Sequence, residues 1–245
     1  ASYIQSAVFP SEKAIKQNLP DSFVFFKPRE KLSGDFYYYD KFLDKHYIAV
    51  ADCTGHGVPG ALLSVTISNL LKNILRDHQP DNAAFVLDQL SDRLPEYFQD
   101  LTDDSSAIQF EGADIAFCIY NEKEKIINYA GSSLSLYLVR DGKLSEYTPD
   151  EMDIDIQKEE EKLQFTNHII RIQKKDMLYL FTDGFPDQLG GLENRKFYYG
   201  PFRDLLMKIH AYASEEQKIM LDKEFSEWRN NRSQTDDVLI WGIRF

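Results

Sequence analysis

The chain has 245 residues, 43% of them hydrophobic and 13% aromatic. That supply of apolar side chains supports one large domain or two small ones with a real core, and excludes an intrinsically disordered chain. Asp and Glu total 40 against 28 Lys and Arg, a formal charge of −12, whose field repels phosphate backbones and argues against a nucleic-acid partner. An acidic protein can still act on phosphate groups where cations reverse the local sign. The two cysteines, Cys53 and Cys118, form no CxxC and no zinc pattern, so a reducing, cytoplasmic setting is expected. No apolar run approaches the roughly 18 residues of a membrane span. The first residues carry neither a basic n-region nor an apolar h-region. The chain starts without Met, which suggests a processed protein or a piece of a longer one. Any membrane attachment is then expected to run through that upstream region.

Residues 1–20 read as a short helical linker from such a region. Pro10 breaks it, and Ser11 with Glu12 marks a fresh helix start. Phe23–Phe26, Phe36–Tyr39 and His46–Ala51 are aromatic or β-branched and read as strands. Ala61–Leu75 is apolar on most faces and predicts a buried helix. Asn82–Phe98, with apolar residues at Phe85, Leu87, Leu90 and Leu94, predicts an amphipathic one. Asp114–Tyr120, Ile126–Ala130, Leu134–Arg140, His168–Ile172 and Met177–Phe181 read as short strands. Asp141–Gly142 is a hairpin turn, because both positions favour positive φ. Residues 150–161 carry seven acids and read as a solvated loop. Helices are expected over Phe202–His210 and Glu215–Trp228, and a final strand over Asp237–Phe245. Strands come in hairpin runs and helices in pairs, which argues for an α+β fold with antiparallel sheets.

Four aspartates share one setting. Asp35 precedes a strand, Asp52 and Asp183 each end one, and Asp236 with Asp237 opens the last. A carboxylate at such a core–rim boundary is costly to desolvate without a partner. Several together raise one another's pKa. Divalent cations would remove the conflict, and hard oxygen ligands suit Mg²⁺ or Mn²⁺ rather than zinc. Strand-end aspartates are also ordinary turn residues, so spacing alone leaves open whether these four meet. Other motifs fail. Asp52–Gly55 fits DxxG but has no phosphate loop to accompany it. Ser64, Ser68 and His56 make no GxSxG elbow. No acidic loop has calcium-hand spacing.

Four runs occur in order: GDFYYYDKFLDKHYIAVADCTGHGVPGALLS, EGADIAFCIYN, MLYLFTDGFPDQLGG and QTDDVLIWGI. Together with FVFFKPREKLSGDFYYY they resemble the PPM-type metal-dependent serine/threonine phosphatases, in the bacterial branch typified by SpoIIE and RsbU. The resemblance covers roughly residues 20 to 245, so a phosphatase domain over 21–245 is expected. It implies two packed antiparallel β-sheets flanked by paired α-helices.

By resemblance, Asp35 is a metal-site carboxylate. Asp52 bridges two ions, and Cys53 lends its backbone carbonyl. Asp183 and Asp236 complete the ligand set, with Asp237 as the fallback for Asp236. Asp35 and Asp52 are then the catalytic pair, the metals (Mn²⁺ or Mg²⁺, two ions roughly 3.5–4 Å apart) sharing a bridging water. Other members of the family place a histidine two residues after the bridging aspartate. Thr54 stands there, His56 falls two positions later, and no acid role is assigned to it. Arg29 is the candidate phosphate-binding arginine, although its spacing departs from the pattern. Asp114 is a weaker candidate for a third metal. The implied activity is hydrolysis of phosphoserine or phosphothreonine in bacterial signalling. The implied partners are a phosphoprotein, such as an anti-sigma-factor antagonist, and an upstream sensor or regulatory domain. A homodimer is an open possibility for assembly. Two other readings compete: a catalytically weak phosphatase-like binding module, and a metal-dependent phosphohydrolase for small molecules.

Overall fold

The computed structural model describes residues 5, 9–55, 57–102, 112–156 and 164–245. Helix α1 (Glu12–Asn18) is capped by Ser11, whose side chain accepts the Ala14 N–H. The chain then forms β1 (Ser22–Lys27), β2 (Phe36–Phe42) and β3 (Lys45–Cys53). Two helices follow, α2 (Val58–His78) and α3 (Ala83–Thr102). Strands β4 (Gly112–Asn121), β5 (Ile126–Ser132), β6 (Leu136–Arg140), β7 (Lys143–Tyr147), β8 (Ile154–Asp155), β9 (His168–Arg171) and β10 (Met177–Phe181) come next. The small hairpin β11 (Leu189–Gly190) and β12 (Arg195–Lys196) precedes α4 (Tyr199–Ile209), α5 (Ser214–Arg229) and β13 (Val238–Arg244).

Two antiparallel sheets result. One runs β1-β13-β10-β6-β7, the other β2-β3-β4-β5-β9, with β8 on β4. Period-2 alternation assigns the side chains of each strand to two layers. Along β3, Ile48 and Val50 pack with Val24, Leu178, Leu180 and Trp241 of the opposite sheet. The intervening Tyr47, Ala49 and Ala51 pack with Leu63, Ile67 and Leu71 of α2 and with Leu87 and Leu90 of α3. On the other sheet, Tyr137, Tyr179 and Phe181 turn outward onto Phe202 and Leu206 of α4 and Phe225 of α5. The molecule is therefore four layers deep, helices–sheet–sheet–helices, the α+β sandwich expected from the hairpin runs. Helix α2 is long and apolar enough to cross a membrane by length and composition. Here, ten of its residues are buried, including Leu63, Ile67, Leu71 and Ile74 packed with the β2–β4 side of its sheet.

The Asp141–Gly142 turn has φ of 50° and 71°, the positive values its sequence called for. The acidic stretch after Asp150 departs from a purely solvated loop. Ile154 pairs with Ala113 and is buried, and Asp150 accepts from the Thr166 N–H and hydroxyl. Alternating apolar Ile154 and Ile156 outweigh the local charge; residues 157–163 lie outside the described residues. The β11–β12 hairpin was not foreseen, its strands being only two residues long. Helix α1 lies against the body of the domain. Ile15 and Leu19 join the inter-sheet core, and Glu12 pairs with Lys218. Further upstream, Phe9 stacks on Phe36, and Gln5 donates to the Ser33 carbonyl and the Ser64 hydroxyl.

Candidate metal centre

Strand geometry delivers the carboxylates to one end of the sandwich. Asp35 stands just before β2, Asp52 near the end of β3, and Asp114 in β4 directly opposite Asp52 in the antiparallel register. Asp183 follows β10 by two residues, and Asp236 precedes β13 by two. Three of these positions come from one sheet and two from the other. They are close enough to interact: Asp52 feels the charges of Asp183, Asp236 and Asp114, and Asp35 those of Asp52, Asp237 and Asp236.

A second set of groups fixes the first. Thr182, buried at the end of β10, donates its hydroxyl to Asp35 Oδ2 at 2.6 Å. It is held by the Leu239 N–H on its oxygen at 3.1 Å and by its own N–H on the Leu239 carbonyl at 3.0 Å. Asp237 is buried and accepts the Arg29 N–H at 2.6 Å and the Gly34 N–H at 2.9 Å. It staples the loop carrying Asp35 to β13. The adjacent Asp236 is exposed, accepts the Asp237 N–H at 2.8 Å, and its charge reaches both Asp35 and Asp52. Glycines let the loops close. A Cβ on Gly34 would lie 2.6 Å from the Cys53 carbonyl oxygen, and one on Gly60 would lie 2.1 Å from that of Gly55.

The electrostatics show a cluster short of positive charge. Burial, then the Asp52 charge, pushes the Asp35 carboxyl well above the usual range, and burial, then Asp183, does the same to Asp52. Asp183 is raised to about 6 by burial and by Asp187, against a partial offset from Lys196. Asp114 is raised to about 7 by burial and by Asp153. Like charges directly opposite in a ladder, as at Asp52 and Asp114, are destabilising. Among the described residues, Asp35, Asp52, Asp114 and Asp183 form no salt bridge with Lys or Arg. An all-carboxylate donor set of this kind fits hard divalent cations. Among the described residues no three acidic, His or Cys side chains are already drawn into a closed ligand cage; the cluster is a charge-deficient mouth rather than a preformed grip.

The remaining candidates fall in distinct places. The Cys53 thiol is buried and held protonated by desolvation and then by Asp52, which leaves its carbonyl as the available donor. The Arg29 side chain is exposed, and only its backbone N–H enters the network. Thr54 is tied to β4, donating to the Gly112 carbonyl at 2.9 Å and accepting the Gly112 N–H at 2.8 Å. His56 lies outside the described residues. Sequence reading did not single out Thr182 or the Lys196–Asp187 ion pair (2.7 Å) beside Asp183. A Thr directly before the Asp of the TDG run was the available signal for the first.

The model of the family "Stage II sporulation protein E (SpoIIE)" matches residues 44–245. No curated protein sequence matches the chain. Among solved structures, the SiaA-PP2C domain of Pseudomonas aeruginosa is 26% identical with a TM-score of 0.87, covering 100% of this chain and 94% of that one. The phosphatase domain of SpoIIE from Bacillus subtilis with a fragment of its regulatory domain is 14% identical, TM-score 0.72, covering 92% of this chain and 63% of that one. RsbX in complex with magnesium is 15% identical, TM-score 0.61, covering 91% and 94%. The last two likenesses concern the fold. With the family model spanning four of the five carboxylate positions and both sheets of the sandwich, the chain belongs to the SpoIIE family of PPM-type protein phosphatases.

Proposed function

We propose that the domain is a metal-dependent serine/threonine phosphoprotein phosphatase in bacterial signalling. Convergence of Asp35, Asp52, Asp183 and Asp236 from two different sheets carries this reading. Asp52, the Cys53 carbonyl and the other three carboxylates would hold the ions. Two Mg²⁺ or Mn²⁺ ions would acidify a water and offset the charge of a phosphate, the chemistry that an acidic site lacks. RsbX, of the same fold, was solved with magnesium.

The chain's own contribution is orientation. Asp35 is aimed by the Thr182 hydroxyl, and its loop is fixed by Asp237. The phosphate of the substrate sits at the mouth formed by Asp52, Asp183 and Asp236, with no protein nucleophile required. The natural substrate is a phosphoprotein, of the anti-sigma-factor-antagonist kind, and an upstream regulatory region governs the domain. The RsbU and RsbW domains of a Mycobacterium tuberculosis protein share the fold at 16% identity and TM-score 0.70, in keeping with signalling use of this architecture. Two free, buried cysteines suit a reducing cytoplasm.

The test is hydrolysis of a phosphothreonine protein and of an aryl phosphate with Mn²⁺ or Mg²⁺, against a chelator control. Asp52→Asn should lower kcat/KM about a thousandfold or more while the fold persists. Metal-independent turnover, or full turnover in Asp52→Asn, would overturn the assignment.

A further inference from the structure

A cleft of about 400 Å³ opens directly beside the carboxylate cluster, with Asp183 and Thr182 in its wall. Its size lies within the roughly 300–1,000 Å³ range of ligand sites. The far side is built from α4 and β7. Tyr199 and Arg203 stand four residues apart on α4 and so share one face, and both line the cleft together with Glu146. Tyr137 and Glu146 are direct cross-strand partners on β6 and β7.

Arg203 is fixed in this wall. Its Nε donates to the Tyr137 hydroxyl at 2.9 Å, its Nη2 donates to Glu146, and the guanidinium lies 5.3 Å from the Tyr137 ring centre. Glu146 is held in turn by the Ser135 hydroxyl at 3.0 Å. A guanidinium has five N–H donors. Among the described residues only Tyr137 and Glu146 take hydrogen bonds from this one, so three donors stay open toward a half-exposed surface. A long cationic side chain immobilised on three sides, with part of its fork unspent, is preorganised for acceptor groups. The rest of the rim carries the hydroxyls of Ser133, Ser135 and Thr148 and the exposed carboxylate of Glu151.

We propose that this cleft binds the polypeptide flanking the phosphorylated residue, and that Arg203 determines specificity there by donating to main-chain carbonyls of the substrate. The inference rests on the phosphatase reading and deepens it. It separates a phosphoprotein from a phosphorylated metabolite, which has a phosphate for the carboxylate mouth but no chain to lay across the cleft. The unspent Arg203 donors suit carbonyl oxygens, and Glu151 adds a negative charge to the rim. The partly compensated charge of the Arg203–Glu146 pair disfavours a second free anion in the same space.

The experiment compares kcat/KM for a phosphothreonine peptide of about ten residues with that for an aryl phosphate, in the full chain loaded with Mn²⁺. The variants are Arg203→Met, the double variant Arg203→Met with Glu146→Gln (which avoids stranding a carboxylate), and Arg203→Lys. The ratio of the two substrates within one preparation cancels any loss of folded enzyme. Both Met variants should lower the peptide-to-aryl ratio about tenfold, the loss of one charge-assisted hydrogen bond, chiefly through KM. Arg203→Lys should recover only part of it, because the planar fork is gone. Equal ratios in the wild type and the double variant would overturn the cleft assignment. Failure of the wild type to hydrolyse either substrate would instead strike the phosphatase reading itself.

Discussion

Removing divalent cations should turn Asp183 into a pH-dependent burden on the fold. Its carboxyl titrates at about 6 in the folded chain, against roughly 3.9 in an unfolded one. Below about pH 4 both states hold the proton and the difference vanishes. Between about 4 and 6 the folded state keeps a proton that the unfolded state has released, so stability falls as pH rises. Above about 6 the penalty is complete, on the order of 3 kcal/mol from two pKa units at about 1.4 kcal/mol each. Asp114 acts in the same direction up to about 7, reduced by its partial exposure to screening water. Surface carboxylates such as Glu122 and Glu215, lowered by hydrogen bonds from His46 and Lys16, pull the other way. The comparison that isolates the site is therefore wild type against Asp183→Asn. Thermal unfolding in chelator should give similar midpoints at pH 4.5. By pH 7.5 the variant should be the more stable, by about 6–12 °C at roughly 2–4 °C per kcal/mol for a domain of this size. Saturating Mg²⁺ or Mn²⁺ should reverse the order, since a ligand at a hundred times its Kd adds about 2.7 kcal/mol to the form that binds it. A difference between the two proteins that does not change with pH in chelator would refute the charge-deficient picture.

Two other perturbations address the scaffold of the site. Asp237→Ala removes the acceptor for two backbone amides; it should cost about 2–4 kcal/mol in urea unfolding and lower metal affinity. A cost below about 0.5 kcal/mol would show that the staple is idle. Gly60→Ala places a methyl against the Gly55 carbonyl and should cost about 1–3 kcal/mol. Gly200→Ala, with nothing within 4 Å of the new Cβ, serves as the neutral comparison in the same unfolding series.

Much of the architecture was legible because hydrophobic period is a local signal. The alternation in His46–Ala51 and Met177–Phe181 forecast strands whose two faces serve different layers, and the run Ala61–Leu75 forecast a buried helix. The site was legible only in part. Each aspartate announced a strand end, but its convergence depends on which sheets those strands join, and spacing carries no trace of that. The resemblance supplied the grouping, and the register of Asp52 against Asp114 then gave it a physical reason. Asp236 and Asp237 are chemically identical in the sequence. Only the direction of the chain entering β13 buries Asp237 against the amides of Arg29 and Gly34 while Asp236 stays exposed. The acidic segment after Asp150 misled because net charge hid two apolar residues in alternation, and two-residue strands such as β11 and β12 are too short to leave a period.

Strand β13 lies in the interior of its sheet, flanked by β1 from near the start of the chain and by β10. A polypeptide interrupted before residue 237 would leave β1 without its β13 partner and β10 with a bare edge, and would lack the staple that positions Asp35. Half of the sandwich thus cannot close until β13 is present. Fragments that end before β13 should therefore be inert and open to proteases rather than weakly active.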